Sequence, residues 1–543
     1  MDSLLATITA LAVSLLITPV MIRLAPRLQL LDQPNARKIH LHPVPRVGGW
    51  GITLGALAAI VLWMPIGPTA VAFIIGALIL LLGGAADDSL DLPASTKLLL
   101  QAAAAVPVVV HAGLSVDALP LLDGLQLPPA LAMTVTGIGL AACINATNTS
   151  DGLDGLAGGV TLLSLAGVLY LSYMAESTEL LLITAASLGG LAGFLRYNTY
   201  PAAIFMGDAG SQFLGFAVGF LGLALVQPVT AGLSPWVLLL LIGLPLADLT
   251  VVASRRLLRG EHCFTADKTH IHHRLLNLGL SHNHSVILIY VIQASFVYFA
   301  VALAQSADWK ILLVYALHLA IIYGFLFLAE GSLRKRRSPI SSKAPTGERT
   351  PPVRPILVLA PRVVLETLVP LILLVCAALA TSVPRDFGIL GALVLPTLAV
   401  RLVTRKAPPS IITRIQVFMV AAAVLYLYTD QRPFISTVSR ATEIGGVCAV
   451  AIVAWTTLRF SPMRRTQEFQ TTAMDYLMAM IAVLTFLALY SAPAFFNTWF
   501  LLYLPVVLYG CEIIMVERRE RKNWLLPATA VAAAILLVRG LFF

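Results

Sequence analysis

Apolar runs of membrane-spanning length follow one another along almost the whole of this chain. A helix needs roughly 20 apolar residues to cross the hydrocarbon core of a bilayer, and about 18 such runs can be counted here. Hydrophobic residues fill 58% of the 543 positions and charged residues only 12%, whereas soluble domains carry about 25% charged residues. Because lipid cannot satisfy an open backbone, each run must be a helix. The sequence therefore predicts an all-α, polytopic membrane bundle.

The basic residues predict how this bundle is oriented. The formal net charge is +9, and most Lys and Arg fall in loops that alternate with nearly uncharged ones. Loops rich in Lys and Arg stay in the cytoplasm, so we expect the basic side to be cytoplasmic. Orientation alone accounts for most of this charge, and the alternative is that the basic loops also attract anionic lipid headgroups, including a lipid phosphate substrate. We expect no nucleic-acid partner. No A-x-A-like cleavage site follows the first apolar run, which we interpret as an uncleaved first span.

Composition divides the chain into three parts. Residues 1–330 hold about eleven predicted spans and every histidine of the chain. Residues 331–355 carry seven basic residues with Pro and Ser and no apolar periodicity, which is typical of a solvated linker. Residues 356–543 hold about seven more spans. This last part has three aspartates and no histidine, so it lacks the material for a second site of the same kind.

Four short polar islands interrupt the apolar first part. They are DDSLD (87–91), NATNTSDGLDG (145–155), FMGDAGS (205–211) and DKTHIHH (267–273). Each lies at the end of an apolar run, and all four fall on the cytoplasmic side of the predicted topology. Carboxylates and imidazoles near hydrocarbon are costly unless they have a partner or a task. We therefore expect one shared polar site at the cytoplasmic membrane face.

The first two islands are rich in oxygen ligands. Asp87 and Asp91 are four residues apart and would share one helix face; they could bind a divalent cation, act as a base, or pair with Lys97. In the second island Asn145, Asn148, Asp151 and Asp154 recur every third residue. Such amides and carboxylates suit Mg²⁺, which also takes substrate phosphates as ligands. The alternatives are a solvated helix cap for the first island and an Asn/Asp/Gly turn for the second.

The third island predicts a helix start. Asp208 is expected just before that start, with small residues whose free amides could take a phosphate. Asp208 could add a metal, Phe205 a flat surface for a nucleobase, and the upstream Asn198 a hydrogen bond to that base. The alternative is an N-cap with a hydrophobic neighbour.

The fourth island combines imidazoles with a cation. Its histidines are His270, His272 and His273, and Lys268 precedes them. A zinc site is an alternative, but no Cys or Glu completes a tetrahedral set at the usual spacing. Histidines scattered in a loop are the other alternative. We prefer imidazoles and Lys268 facing a diphosphate.

Together these groups favour phosphoryl transfer at a membrane surface, where catalysis consists mostly of positioning and neutralising phosphate charge. A nucleotide-linked donor would come from the cytoplasm and a lipid phosphate from the bilayer. A transporter or flippase would instead place polar groups near mid-span and show symmetry between repeats. A non-catalytic scaffold of envelope glycan assembly remains open, above all for the C-terminal part.

Five ordered motifs give the chain a close resemblance to the polyprenyl-phosphate N-acetylhexosamine-1-phosphate transferases. They are DQPNARKIHLHPVPRVGG, DDSLDLPASTKLLLQ, NATNTSDGLDGLAGG, NTYPAAIFMGDAGS and ADKTHIHHRLLNLGLS. The resemblance covers about residues 1–330 and is greater to the undecaprenyl-phosphate N-acetylglucosamine-1-phosphate branch than to the peptidoglycan branch. It implies transfer from a UDP-N-acetylhexosamine to polyprenyl phosphate, releasing UMP, in a bacterial inner membrane. N-acetylglucosamine is the expected sugar. It also implies Mg²⁺ as cofactor, with Mn²⁺ as a substitute, and allows a homodimer.

The resemblance also implies roles for single residues. Asp208 matches the metal-binding aspartate and Asn148 a second ligand or diphosphate contact. Asp87 matches the residue that deprotonates or orients the lipid phosphate, with Asp88 beside it, and Asp151 is a further polar candidate in the catalytic centre. The histidine island matches an HxHH element expected near the diphosphate or sugar of the donor.

The remaining matches concern the nucleotide. Asp154, Asn198 and Phe205 match positions that hold uridine, and Gly152 lines that pocket. Lys38, in the RKIH element, matches a nucleotide or phosphate contact.

Overall fold

The structure is a computed structural model. It describes residues 2–33, 43–119, 125–227, 233–260, 269–336, 355–380, 382–404, 411–430, 507, 511 and 524–542. The chain forms two compact units, one holding the described residues up to 336 and the other those from 355 onward. Both units are helical, which confirms the predicted all-α class.

The first unit contains the polar islands. Its described helices are α1 (Asp2–Leu24), α2 (Gly48–Trp63), α3 (Pro68–Leu90), α4 (Ala94–Val110), α5 (Pro129–Thr149), α6 (Leu156–Met174), α7 (Thr178–Asn198), α8 (Gly207–Leu225), α9 (Val237–Leu241), α10 (Gly243–Leu258), α11 (Ile271–Asn277), α12 (His282–Ala302) and α13 (Asp308–Arg336). Two antiparallel strand pairs lie in loops: β1 (Leu31–Asp32) with β2 (Val44–Pro45), and β3 (Ala118–Leu119) with β4 (Leu125–Gln126).

Among the described residues, nine helices are long and apolar enough to cross a membrane. The chain is therefore a multi-pass membrane protein. The predicted total of about 18 spans stays a prediction, because much of residues 431–523 lies outside the described part.

The apolar run at about residues 235–253, which we predict to be one continuous span, is interrupted in the structure. It is broken into α9 and α10. Pro245 has no N–H to give to the Leu241 carbonyl one turn earlier, which interrupts the helix. Gln293 of α12 repairs the break, donating to the Leu241 carbonyl at 2.8 Å and accepting the Leu244 N–H at 3.2 Å.

Helix α8 is the centre of the first unit and packs against α2, α3, α5 and α6. Glycines let the backbones touch. A Cβ on Gly49 would lie 2.3 Å from the Gly210 nitrogen, and one on Gly84 would lie 2.4 Å from the Ala209 Cα. Small residues permit this close approach of membrane helices. The start of α8 is therefore held between the start of α2 and the end of α3.

The second unit has four described long helices: α14 (Pro355–Leu379), α15 (Arg385–Thr404), α16 (Ile411–Asp430) and α17 (Leu525–Phe542). α17 packs against the other three. It meets α15 through Gly388 and Gly540, where a Cβ on Gly540 would lie 2.7 Å from the Gly388 Cα. Arg539 donates to the Ala378 carbonyl at 3.0 Å and so satisfies an open group at the end of α14.

Candidate active site

The N-terminus of α8 is the centre of the candidate site. Gly207 begins the helix with φ +70°, and a Cβ there would lie 2.4 Å from the Asp88 carboxylate. Asp88, in the last turn of α3, accepts the backbone N–H groups of Asp208 at 2.9 Å and Ala209 at 3.3 Å. A carboxylate is favoured at this end of a helix. Asp88 supplies the cap from another helix, and Asp208 lies inside the first turn of α8. The prediction that Asp208 lies just before the start of the helix is therefore wrong.

A lysine joins the two neighbouring carboxylates. The Lys97 ammonium lies 2.6 Å from Asp87 Oδ2 and 3.5 Å from Asp208 Oδ2. Asp87 is buried, and its other oxygen accepts the Leu92 N–H at 2.8 Å. The end of α3 and the starts of α4 and α8 therefore bring Asp87, Lys97 and Asp208 into direct contact.

Asp91 does not belong to this cluster. The residue ends α3 in the left-handed conformation, with φ +50°, and its side chain is exposed. The prediction that Asp87 and Asp91 share one helix face is therefore wrong, because the helix stops at Leu90, before the fourth residue is reached.

The second island is half helix and half loop. α5 runs through Asn145 and Asn148 and ends at Thr149. Asn148 Oδ1 accepts the Ser211 hydroxyl at 2.8 Å, which brings it to the first turns of α8. Asn145 instead donates to Gln101 of α4 at 2.8 Å and holds two helices together. The four residues therefore do not form the single helical face that we predicted: Asn145 and Asn148 are in the helix, and Asp151 and Asp154 follow it.

Asp151 and Asp154 lie in the loop after α5. The pKa of Asp151 is raised to about 7, mainly by burial and also by the charges of Asp154 and Asp88, while Arg46 opposes the shift. Asp154 Oδ2 accepts the Ala202 N–H at 2.9 Å, so this loop is joined to the segment between α7 and α8.

The predicted uridine residues surround that same segment. Asn198 is 2% exposed; it accepts the Gly155 N–H at 3.0 Å and donates to the Ile204 carbonyl at 2.8 Å. Its polar atoms therefore hold the two loops together, and direct binding of a base stays a prediction. Phe205 is half-buried, and its backbone bonds to Pro45 at 2.8 Å and Gly48 at 2.9 Å.

The histidine island lies against the second one. A Cβ on Gly152 would lie 2.2 Å from His272 Nε2, so the glycine packs directly on that imidazole. His270 and His272 are parallel, with ring centroids 5.9 Å apart, and His273 lies 4.3 Å from His272. The pKa of His272 is lowered to about 3, mainly by burial and also by the neighbouring His273 and His270. His272 is therefore a neutral imidazole near pH 7.

Sequence reasoning missed two partners of these loops. Asp248 of α10 lies 2.8 Å from His270 Nδ1. His282, which lies outside the four islands, stacks on Tyr200 with centroids 4.4 Å apart and contacts the Asp154 carbonyl at 3.3 Å. The available signal for Asp248 was a lone carboxylate inside an apolar run. Lys38 and Lys268 lie outside the described residues, so their roles stay predictions.

The charges of the site favour a hard divalent cation. Five carboxylates lie close enough to affect one another, and Lys97 and Arg46 are cations that act on them; the five are Asp87, Asp88, Asp151, Asp154 and Asp208. With the Asn148 amide, the donors are all oxygens, the set that Mg²⁺ prefers. No group of three or more His, Cys, Asp or Glu in the described ranges forms a ready-made metal site.

Comparison with known proteins gives a consistent picture. A family model described as glycosyl transferase family 4 matches residues 70–226, the range that holds three of the four islands. A Bacillus subtilis (strain 168) protein named "Probable undecaprenyl-phosphate N-acetylglucosaminyl 1-phosphate transferase" is 34% identical over 314 residues, covering 57% of this chain and 87% of its own length.

Two further relatives carry related names. The undecaprenyl-phosphate alpha-N-acetylglucosaminyl 1-phosphate transferase of Escherichia coli (strain K12) is 29% identical, over 56% of this chain and 85% of its own length. The decaprenyl-phosphate N-acetylglucosaminephosphotransferase of Mycobacterium leprae (strain TN) is 32% identical, over 49% and 75%.

Proposed function

Because this chain belongs to glycosyl transferase family 4, we propose that it transfers N-acetylglucosamine 1-phosphate from a UDP-sugar to polyprenyl phosphate. The products are polyprenyl-diphosphate-N-acetylglucosamine and UMP, and the step begins a cell-envelope polysaccharide. The reaction takes place at the cytoplasmic face of a bacterial inner membrane, in agreement with the basic loops on the side of the polar islands.

One observation carries this proposal: the contact of Asp87, Lys97 and Asp208 at the N-terminus of α8. Three chain segments meet there, at the ends of apolar helices, two of which are long enough to span a membrane. A lipid phosphate can reach a helix end from the bilayer, and a nucleotide can reach it from water. Preorganised charges at such a point stabilise the charge that develops during phosphoryl transfer.

The residues divide the work as follows. A phosphate oxygen of the lipid attacks the β-phosphorus of the donor, that P–O bond forms, and the bond between the bridging oxygen and the β-phosphorus breaks to release UMP. Asp87 orients the lipid phosphate or takes its proton, while Lys97 holds Asp87 and Asp208 in place. Asp208 and Asn148 would hold Mg²⁺, which neutralises phosphate charge when it is bound.

The donor lies over the loops. Phe205 and Asp154 hold the uridine in this proposal, with Asn198 fixing both of their segments. The histidine island contacts the diphosphate or the sugar. His272 acts there as a neutral hydrogen-bonding group, because burial keeps it uncharged.

The test is turnover of the purified full chain with polyprenyl phosphate, Mg²⁺ and a panel of labelled UDP-sugars. Asp208→Asn keeps the shape of the side chain and removes its charge, so we expect kcat to fall by at least about 100-fold. Asp91→Asn is the matched control, because Asp91 is exposed and the left-handed position tolerates Asn.

Turnover of the wild-type chain with UDP-N-acetylglucosamine, lost in Asp208→Asn and kept in Asp91→Asn, would support the proposal. Full turnover in Asp208→Asn would refute the metal and catalytic assignment. No turnover of the folded wild-type chain with any donor in the panel would refute the proposed function itself.

A further inference from the structure

Asp248 lies outside the four islands and touches two residues of one of them. Its Oδ2 lies 2.8 Å from His270 Nδ1, and its Oδ1 accepts the Ile271 N–H at 3.0 Å. Asp248 is 6% exposed and His270 is 8% exposed, so water does not compete for these bonds. One carboxylate of α10 thus fixes both the imidazole of His270 and the start of α11.

This pair of bonds decides which nitrogen of His270 carries a proton. An ionised carboxylate only accepts hydrogen bonds, and Asp248 already accepts one backbone N–H. The proton between Asp248 and His270 is therefore on Nδ1. A histidine held in this way by a carboxylate has its tautomer and ring orientation set, and Nε2 becomes the nitrogen available to a ligand.

The geometry extends from His270 to the carboxylate loop. The His270 and His272 rings are parallel within 6°, and His272 packs on Gly152, one residue after Asp151. A cavity beside this row is lined by Ser150, Asp248 and His272 among others. Asp248 therefore holds His270 in a series of packed groups that continues through His272 and Gly152 to the carboxylate of Asp151.

We propose that Asp248 is a positioning residue of this site: it fixes His270 with the proton on Nδ1, so that Nε2 contacts the diphosphate or sugar of the donor. The part that concerns the donor rests on the proposed transferase function. The part that concerns the tautomer rests only on the contacts of Asp248.

The experiment that tests the tautomer uses the full chain labelled with ¹⁵N-histidine in detergent. The His270 signals are assigned by their loss in His270→Gln. In the wild-type chain we expect a protonated Nδ1. In Asp248→Asn, the amide oxygen can still accept the Ile271 N–H while the amide NH₂ faces Nδ1, so the proton should move to Nε2.

Kinetics test the role of that arrangement. We expect Asp248→Asn to lower kcat by roughly tenfold or more, as is found when a carboxylate that orients a metal-bound histidine is replaced, with little change in the KM for polyprenyl phosphate. Asp308→Asn is the matched control, because Asp308 is another hydrogen-bonded carboxylate, paired with Ser234 at 2.6 Å in a different part of the unit. It should keep wild-type kcat.

The outcomes separate the two proposals. A wild-type His270 with its proton on Nε2 alone would overturn the role of Asp248, and this result needs no Asp248 variant to fold. An unchanged kcat in a folded Asp248→Asn chain would overturn it as well. A wild-type chain with no transferase activity would refute the proposed function, while the ¹⁵N signals would still decide the tautomer.

Discussion

The contact between Gly152 and His272 gives the sharpest test of the site, because one methyl group should disable it. An added Cβ at residue 152 would lie 2.2 Å from Nε2, 2.6 Å from Cε1 and 2.9 Å from Cδ2 of His272. Gly152 is not among the glycines with positive φ, so its backbone accepts alanine. Any effect of Gly152→Ala therefore comes from the imidazole.

The size of that effect follows from the overlap. To reach an ordinary contact of about 3.4 Å, the ring and the methyl group must separate by about 1.2 Å more. His272 is 4% exposed and stacked on His270, so it has little space to move. Overpacking of this kind costs about 1–3 kcal/mol in stability, and a displacement of about 1 Å near the reacting groups costs roughly 100-fold in rate.

The assay is kcat for UMP release, with the melting temperature measured in the same detergent. Gly137→Ala is the matched control, because a Cβ there meets no atom within 4 Å and the residue is also in the first unit. We expect a large loss of kcat in Gly152→Ala and none in Gly137→Ala. In a His272→Ala background, Gly152→Ala should have no further effect. Wild-type kcat in Gly152→Ala would refute the reasoning.

Three further predictions concern charge and domain organisation. Lys97→Met removes the ammonium between Asp87 and Asp208. We expect UMP release to slow by roughly 10- to 100-fold, since a charged hydrogen bond contributes about 1.5–3 kcal/mol. Lys97→Ala should be as slow, and a wild-type rate of UMP release in Lys97→Met would contradict the role of Lys97. Burial raises the pKa of Asp151 from 3.8 to about 7, so the folded chain keeps a proton that the unfolded chain releases, and metal-free stability should fall as pH rises from about 4 to about 7. Melting curves of Asp151→Asn should show a smaller fall, and an equal fall would exclude Asp151 as its source. A chain that ends at residue 340 keeps the first compact unit, and we expect wild-type kcat from it; a lower kcat would assign the second unit a part in turnover.

The sequence was sufficient to predict the helices of the first unit and the meeting of its polar islands. A long apolar run can satisfy its backbone in lipid only as a helix, and the runs that end at or follow the first two islands form the helices α3, α5 and α6. The basic loops placed all four islands on one side, and contacts such as Asp88 with Asp208 and Gly152 with His272 bring them together.

The sequence did not predict the features that depend on a residue far away in the chain. Asp208 is inside its helix because Asp88, 120 positions earlier, supplies the cap. The break between α9 and α10 is stable because Gln293 satisfies the open carbonyl. The partner of His270 is Asp248, on another helix. Spacing along the chain carries no information on these pairs, because each depends on how helices pack.

The glycine contacts around α8 have a consequence for how ligands can be accommodated. Gly49 and Gly84 bring two neighbouring backbones against residues 209 and 210, with no layer of side chains between them that could repack. The backbone that carries Asp208 therefore keeps its position when a substrate binds. Any rearrangement on binding has to occur in the loops around it. An inhibitor shaped for this carboxylate would meet the same rigid surface in the empty and the occupied enzyme, and resistance by small shifts of the scaffold would require replacing several backbone contacts at once.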